Sequence, residues 1–164
     1  MKHAARLLLF VLAASPAVAQ SADDKAVQSA VESFLTRLGD HQFDTLDADF
    51  APKAIIIVTR RRPSTSSGQG SSTGSGQGEW TNSYQTAEEW LAGLKKNPNP
   101  TTFREPITNV KVTIDSDRLA YLRADFHVVR DGKAVSSGVD QFTLVREPAG
   151  WKIAAIAYTS QPVR

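Results

Sequence analysis

Asp140 is the residue whose type does not fit its surroundings. It shares one face of an alternating stretch with Gly138, Phe142 and Leu144, so the two-residue period of a strand aims it with apolar neighbours. Burying even a neutral polar group without a partner costs roughly 2–7 kcal/mol, and an ionised carboxylate more. Such a carboxyl is protonated, paired, or placed at an open rim. Desolvated, with its pKa raised, it suits a general acid or base near neutral pH. The structural alternative is an Asp at the rim, capped by a Tyr hydroxyl or a backbone N–H. A second set, Arg123, Asp125 and His127, falls at two-residue steps opposite Ala120, Leu122, Ala124, Phe126 and Val128. That spacing makes a charged ladder on the outer face of a sheet, facing solvent or a second copy of the chain in a homodimer. Trp80, Tyr84 and Trp90 flank the start of a helix, where aromatic side chains suit the mouth of an apolar pocket; Trp90 also reads as core against Leu94. On the last strand Trp151, Ile153, Ala155 and Ala157 share parity. The small Ala155 and Ala157 leave space either for a ligand or for side chains from the helices. The candidate pocket is therefore Asp140, Tyr84, Trp90, Phe126, Phe142, Ala155 and Ala157.

Composition removes several alternatives. The chain has 164 residues and opens with a basic start (Lys2, Arg6), an apolar run from Leu7 to Ala14, and Ala17-Val18-Ala19. This is the layout of a secretory signal peptide over residues 1–19, so an exported protein, periplasmic or secreted, is expected to begin at Gln20. The apolar run is too short for a permanent membrane span. Without Lys2 and Arg6 there remain 17 basic and 17 acidic residues, so the basic excess is no argument for a nucleic-acid partner. No cysteine is present, which removes disulfides, thiolate zinc sites, cysteine nucleophiles and a lipid anchor. Past the signal only His41 and His127 remain, too few for a three-histidine metal site. No cofactor is called for.

The elements that must position these residues follow from periodicity. Ala26, Val27, Ala30, Val31, Phe34, Leu35 and Leu38 form one helical stripe, with Asp23 and Asp24 at its positive end and Gly39 as a C-terminal stop. A shorter helical piece is expected from about Asp40 to Asp49, ended by Pro52. The β-branched run from Ala54 to Val58 reads as a strand covered on both faces. Arg60, Arg61 and Arg62 follow, read as a solvated strand end. Residues 63–78 contain only Pro, Ser, Thr, Gly and Gln, in two octads that agree at six of eight positions; this composition predicts a disordered insertion. Its glycines lack the Gly-Lys-Ser/Thr ending of a phosphate-binding loop. Glu79 to Asn82 is expected to pair back on Ile55 to Thr59. Thr86 and Glu89 form a capping box for a helix that ends before Asn97-Pro98-Asn99-Pro100. Strands then run over Asn109–Asp115, Leu119–Val129, Ser136–Val145 and Trp151–Thr159, linked by turns at Asp115-Ser116-Asp117, Asp131-Gly132 and Glu147-Pro148-Ala149-Gly150. Helices first, then antiparallel strands, means an α+β domain over residues 20–164 with its N-terminal helices packed on one face of a single curved antiparallel sheet.

The order of elements, with the run SGVDQFTLVREPAGWKI from Ser137 to Ile153, resembles the nuclear transport factor 2-like (SnoaL-like) superfamily, a cone made by a bent sheet over helices. Asp140 with Phe142 and Leu144 is also similar to the pattern of its lumazine-binding branch. The resemblance spans about Asp24 to Thr159 without the insertion. It implies a cavity between the concave sheet face and the helices, and hence a small, largely apolar ligand or an interaction surface without catalysis. The rival it implies is an isomerase, dehydratase or hydrolase using Asp140 as acid or base. Limonene epoxide hydrolase, a member, also carries an Arg-x-Asp like Arg123-Ala124-Asp125, but its second aspartate would fall where this chain has only Ala154 to Thr159. The ketosteroid isomerase arrangement needs two inward carboxyls and a Tyr. Tyr84, Tyr158 and Asp140 supply parts of it, and no second inward carboxylate is evident.

Overall fold

The computed structural model describes residues 21–61, 79–98 and 101–163. The expected signal segment and the Ser/Gly insertion, whose first described flank is Arg61, lie outside them. Helix α1 (Ala22–Gly39) opens the fold. Ser21 caps it: its hydroxyl accepts from the Asp24 N–H at 3.0 Å, while the Asp24 carboxylate accepts from the Ser21 N–H at 3.1 Å. The predicted stripe is the buried face, through Val27, Val31, Phe34, Leu35 and Leu38. Gly39 does not act as a left-handed stop; it is the last helical residue, and His41 takes the positive φ of 60°. Glycine is needed at 39 because a Cβ there would strike the Phe103 carbonyl oxygen.

The expected second helix shrinks to one turn, α2 (Phe43–Leu46), followed by a 3₁₀ turn, Asp47–Asp49. An ion pair in which Arg37 Nη2 donates to both oxygens of Asp49 at 2.6 Å ties this segment to α1. Pro52 does not end a helix but sits early in β1 (Phe50–Arg61). The chain then forms β2 (Trp80–Thr86), α3 (Ala87–Lys96) under its Thr86–Glu89 capping box, β3 (Ile107–Asp115), β4 (Leu119–Arg130), β5 (Lys133–Glu147) and β6 (Gly150–Pro162).

The six strands form one curved, unclosed sheet in the order β2-β1-β6-β5-β4-β3. β1 and β2 do pair, but in a later register than expected: β2 runs on to Thr86, so Ile55 opposes Thr86, Thr59 opposes Asn82, and Trp80 and Thr81 oppose Arg61 and Arg60. Every adjacent pair is antiparallel except β1 with β6, which is parallel. The helices cover one face: α1 packs on β3, β4 and β6, and α3 on β1. β1 is therefore not covered on both sides. Ala54, Ile56 and Val58 are buried, whereas Ile55 is 46% exposed on the outer face. Phe34 is the centre of the core, edge-on to Phe50 and Phe142 and stacked with Trp90, at 5.5, 6.1 and 6.3 Å between ring centroids.

Candidate functional site

The sheet and the helices leave a cavity of about 630 Å³ between them. Its walls are apolar where α1 and α3 face the sheet, with Phe34, Leu38, Trp90, Phe126, Phe142 and Ile156. Its mouth lies at the C-terminal ends of β1, β4 and β6 and the N-terminal end of β5, where Arg60, Val135, Ser136, Ser160 and Arg130 line it. Strand geometry places Asp140 four residues, roughly 13 Å, deeper than Ser136 along β5.

Asp140 points into this cavity and is only 3% exposed. Its cross-strand neighbours are Ala124 on β4 and Tyr158 on β6. Its Oδ2 is buried without a hydrogen-bond partner. The carboxyl is not alone, however. Glu105, half-buried on the segment ahead of β3, lines the same cavity, and its titration is coupled to that of Asp140. Burial raises the Asp140 pKa to about 7, against a smaller lowering by its interaction with Glu105. Glu105 is raised well above the carboxylate range, first by burial and then by the charge of Asp140. Two such groups titrate as a pair, and near neutrality the pair retains a proton. Tyr158 completes the group. Its ring meets Phe126 edge-on at 6.5 Å, and burial raises its pKa, opposed by the Arg60 guanidinium beside the hydroxyl.

Of the seven pocket candidates read from the sequence, Asp140, Trp90, Phe126 and Phe142 line the cavity. Tyr84, Ala155 and Ala157 do not. Tyr84 is 73% exposed, paired with Ile57 on the outer side of the sheet. Ala155 and Ala157 fail for another reason: the register shifts between Thr143 and Leu144, so that Leu144 opposes Ile153 and Thr143 opposes Ala155. The extra residue in β6 inverts its parity. Ile153 and then Ile156 are buried, and Tyr158 and Ser160 turn inward in place of the alanines.

Sequence reasoning missed several cavity residues, among them Glu105, Arg60, His41 and Arg130. Glu105 stands before Pro106, outside the predicted strand, yet the alternation continues back through it: Phe103 and Glu105 both line the cavity and Arg104 is exposed. Extending the two-residue period across the proline was the available signal. Arg60, expected to be a solvated strand end, lines the mouth, and so does His41 at the end of α1. The Arg123, Asp125 and His127 set lies on the outer face as expected from parity. Arg123 Nη2 is 3.0 Å from Asp125 Oδ1, Asn109 Nδ2 donates to Asp125 Oδ2 at 2.8 Å, and His127 is exposed. The Asp125 pKa is lowered, first by the Asn109 bond and then by Arg123. Among the described residues, no group of three or more His, Asp and Glu side chains could hold a metal ion, and no helix is long and apolar enough to cross a membrane.

A family model described as a SnoaL-like domain matches residues 19–157. The chain belongs to the SnoaL-like domain family. No curated protein matches it. Solved structures with this fold include a Novosphingobium aromaticivorans protein provisionally described as the beta subunit of an aromatic-ring-hydroxylating dioxygenase. It has a TM-score of 0.62 at 15% identity, covering 90% of this chain and 92% of that one. A protein of unknown function with a cystatin-like fold from Nostoc punctiforme has a TM-score of 0.61 at 13% identity, covering 85% and 92%. A protein provisionally described as a dehydratase of the NTF2-like family, from Streptomyces avermitilis, has a TM-score of 0.55 at 18% identity, covering 85% and 95%. At these identities the likeness is one of fold. Within the SnoaL-like fold, the chemistry must be read from the cavity of this chain itself.

Proposed function

We propose that this SnoaL-like domain binds a small, largely apolar molecule in its cone and holds one oxygen of that molecule on the Asp140–Glu105 carboxyl pair. The supporting observation is the pairing of two carboxyls inside an apolar cavity of about 630 Å³, within the usual size range of ligand sites. A protonated carboxyl donates to a carbonyl or accepts from a hydroxyl, and it does so best where water is excluded. The neutral fluorophore N-phenyl-1-naphthylamine tests the cavity, and competition by 2-acetonaphthone against 2-ethylnaphthalene tests the oxygen. The ketone competes better in the native protein, and Asp140→Leu removes the difference. Absence of saturable fluorophore binding would overturn the reading.

The position of Tyr158 across from Asp140 supports a second reading, acid–base catalysis of an isomerisation, dehydration or hydrolysis. A carboxyl that titrates near pH 7 can give and take a proton there, with Tyr158 to stabilise the oxygen. Catalysed hydrogen–deuterium exchange beside the carbonyl of a bound ketone, lost in Asp140→Asn with binding retained, distinguishes an enzyme from a binder.

The proposal also places the protein outside the cytoplasm, on the signal-peptide pattern of residues 1–19. An N-terminus at Gln20 in protein recovered from the periplasm or medium is the expected result. The outer sheet face, with Tyr121 exposed beside the Arg123–Asp125 pair on β4 and Ile55 and Tyr84 exposed toward the β1–β2 edge, suits a second copy of the chain. A monomeric mass in solution would remove that part.

A further inference from the structure

Two buried polar atoms on one wall of the cavity have no hydrogen-bond partner among the described residues: Arg130 Nε and His41 Nε2. Both side chains line the cavity, and both pack on the same ring. The Arg130 guanidinium carbon is 6.0 Å from the centre of the Phe103 ring, and the His41 ring is 6.3 Å from it. Their positions are held from outside the cavity. The Phe103 N–H donates to the Gly39 carbonyl at 3.1 Å, and the backbone of Arg104 exchanges two hydrogen bonds with Val129, at 2.9 and 2.8 Å. His41 is fixed from its other side by stacking on Phe43 at 5.2 Å.

An unpartnered buried polar atom costs about 1–3 kcal/mol; Arg130 Nε always carries a hydrogen and His41 Nε2 carries one in one of its tautomers, so a single acceptor on this wall satisfies both. The neighbouring carboxylates do not supply one: Asp40 pairs with Arg104 at 2.5 Å, and Asp140 and Glu105 couple to each other and form no ion pair with Arg130. No described carboxylate lies in ion-pair range of Arg130. Nε–H is one prong of the planar guanidinium fork that matches the two oxygens of a carboxylate, a match that a lysine could not offer.

We infer that the molecule bound in the cavity is an apolar carboxylic acid, its carboxylate held by Arg130 with a second hydrogen bond from His41, and its apolar body directed past Phe126 toward Asp140. This deepens the proposed function and rests on it. The carboxyl pair and the Arg130–His41 wall then read opposite kinds of oxygen, one neutral and one anionic.

Displacement of N-phenyl-1-naphthylamine from the purified protein by 2-naphthoate and by 2-naphthamide tests it, because the two competitors differ in charge but hardly in shape. Naphthoate is expected to compete at least tenfold better. Arg130→Met should remove that preference with naphthamide unchanged, Arg130→Lys should restore part of it, and His41→Asn should reduce it several-fold. Equal competition in the native protein, or a preference that survives Arg130→Met, overturns the inference. Where Arg130→Met does not fold by circular dichroism, the Lys and His41→Asn variants decide, and an unchanged preference in both overturns it. Failure of the fluorophore itself to bind is a different result, because it removes the apolar site and not the choice of charge.

Discussion

Glu105 and Asp140 face the same cavity across the width of a strand: β4 lies between the segment that carries Glu105 and β5, which carries Asp140. Burial raises the pKa of both carboxyls, so each is tolerated here by holding its proton rather than by carrying an unpaired charge.

The sign of the pH dependence follows. Both carboxyls have folded-state pKa values raised above their unfolded ones, so between about pH 4 and pH 7 the folded state holds more protons. Stability is therefore full below the unfolded pKa and falls as pH rises through the folded value. Asp140→Asn should flatten this fall and make the variant more stable than the native protein at pH 8, by on the order of 2 kcal/mol. Urea denaturation at pH 4.5, 6 and 8 measures it, and a native protein more stable at pH 8 than at pH 4.5 relative to the variant contradicts it.

Parity after the β6 bulge gives a paired steric test. Ser160→Trp should block N-phenyl-1-naphthylamine binding, because Ser160 lines the mouth. Ala157→Trp, one of the residues turned outward by the bulge, should leave the affinity within about twofold. The reverse result would mean that the register shift between Thr143 and Leu144 is wrong.

Gly138 lies beside Asp140 on the inward face of β5, and a Cβ there would collide with the Thr159 carbonyl oxygen and come within 2.8 Å of the Phe126 ring. Carbonyl oxygen in a strand has little room to retreat. Gly138→Ala is expected to destabilise the fold by about 1–3 kcal/mol, in the range of overpacking. A thermal melt within one degree of the native protein's would count against the packing described.

Thr86 offers a control remote from the cavity. Its hydroxyl accepts from the Glu89 N–H at 3.1 Å, and Glu89 bonds back to the Thr86 N–H at 2.8 Å. Thr86→Ala should cost about 1 kcal/mol through α3 while ligand competition is unchanged. A loss of binding larger than the loss of stability would show that α3 shapes the cavity more than its cap implies.

Local periodicity carried much of this protein into view. The stripe on α1, the Thr86 capping box and the hairpin turns each depend on neighbours a few residues apart, and so does the inward face of β5 that singled out Asp140. What the pattern could not reveal was anything that depends on a break in period or on contact between distant segments. One extra residue in β6 inverted the parity of Ala155 and Ala157 and brought Tyr158 and Ser160 inward. Arg60 and His41 became cavity residues only because the ends of β1 and α1 meet the same mouth. Glu105 gained its role from a strand two places away. The sequence by itself determined that Asp140 is an acid among apolar neighbours; only the tertiary structure decided that a second carboxyl, Glu105, faces the same cavity, because that juxtaposition is made across space and not along the chain.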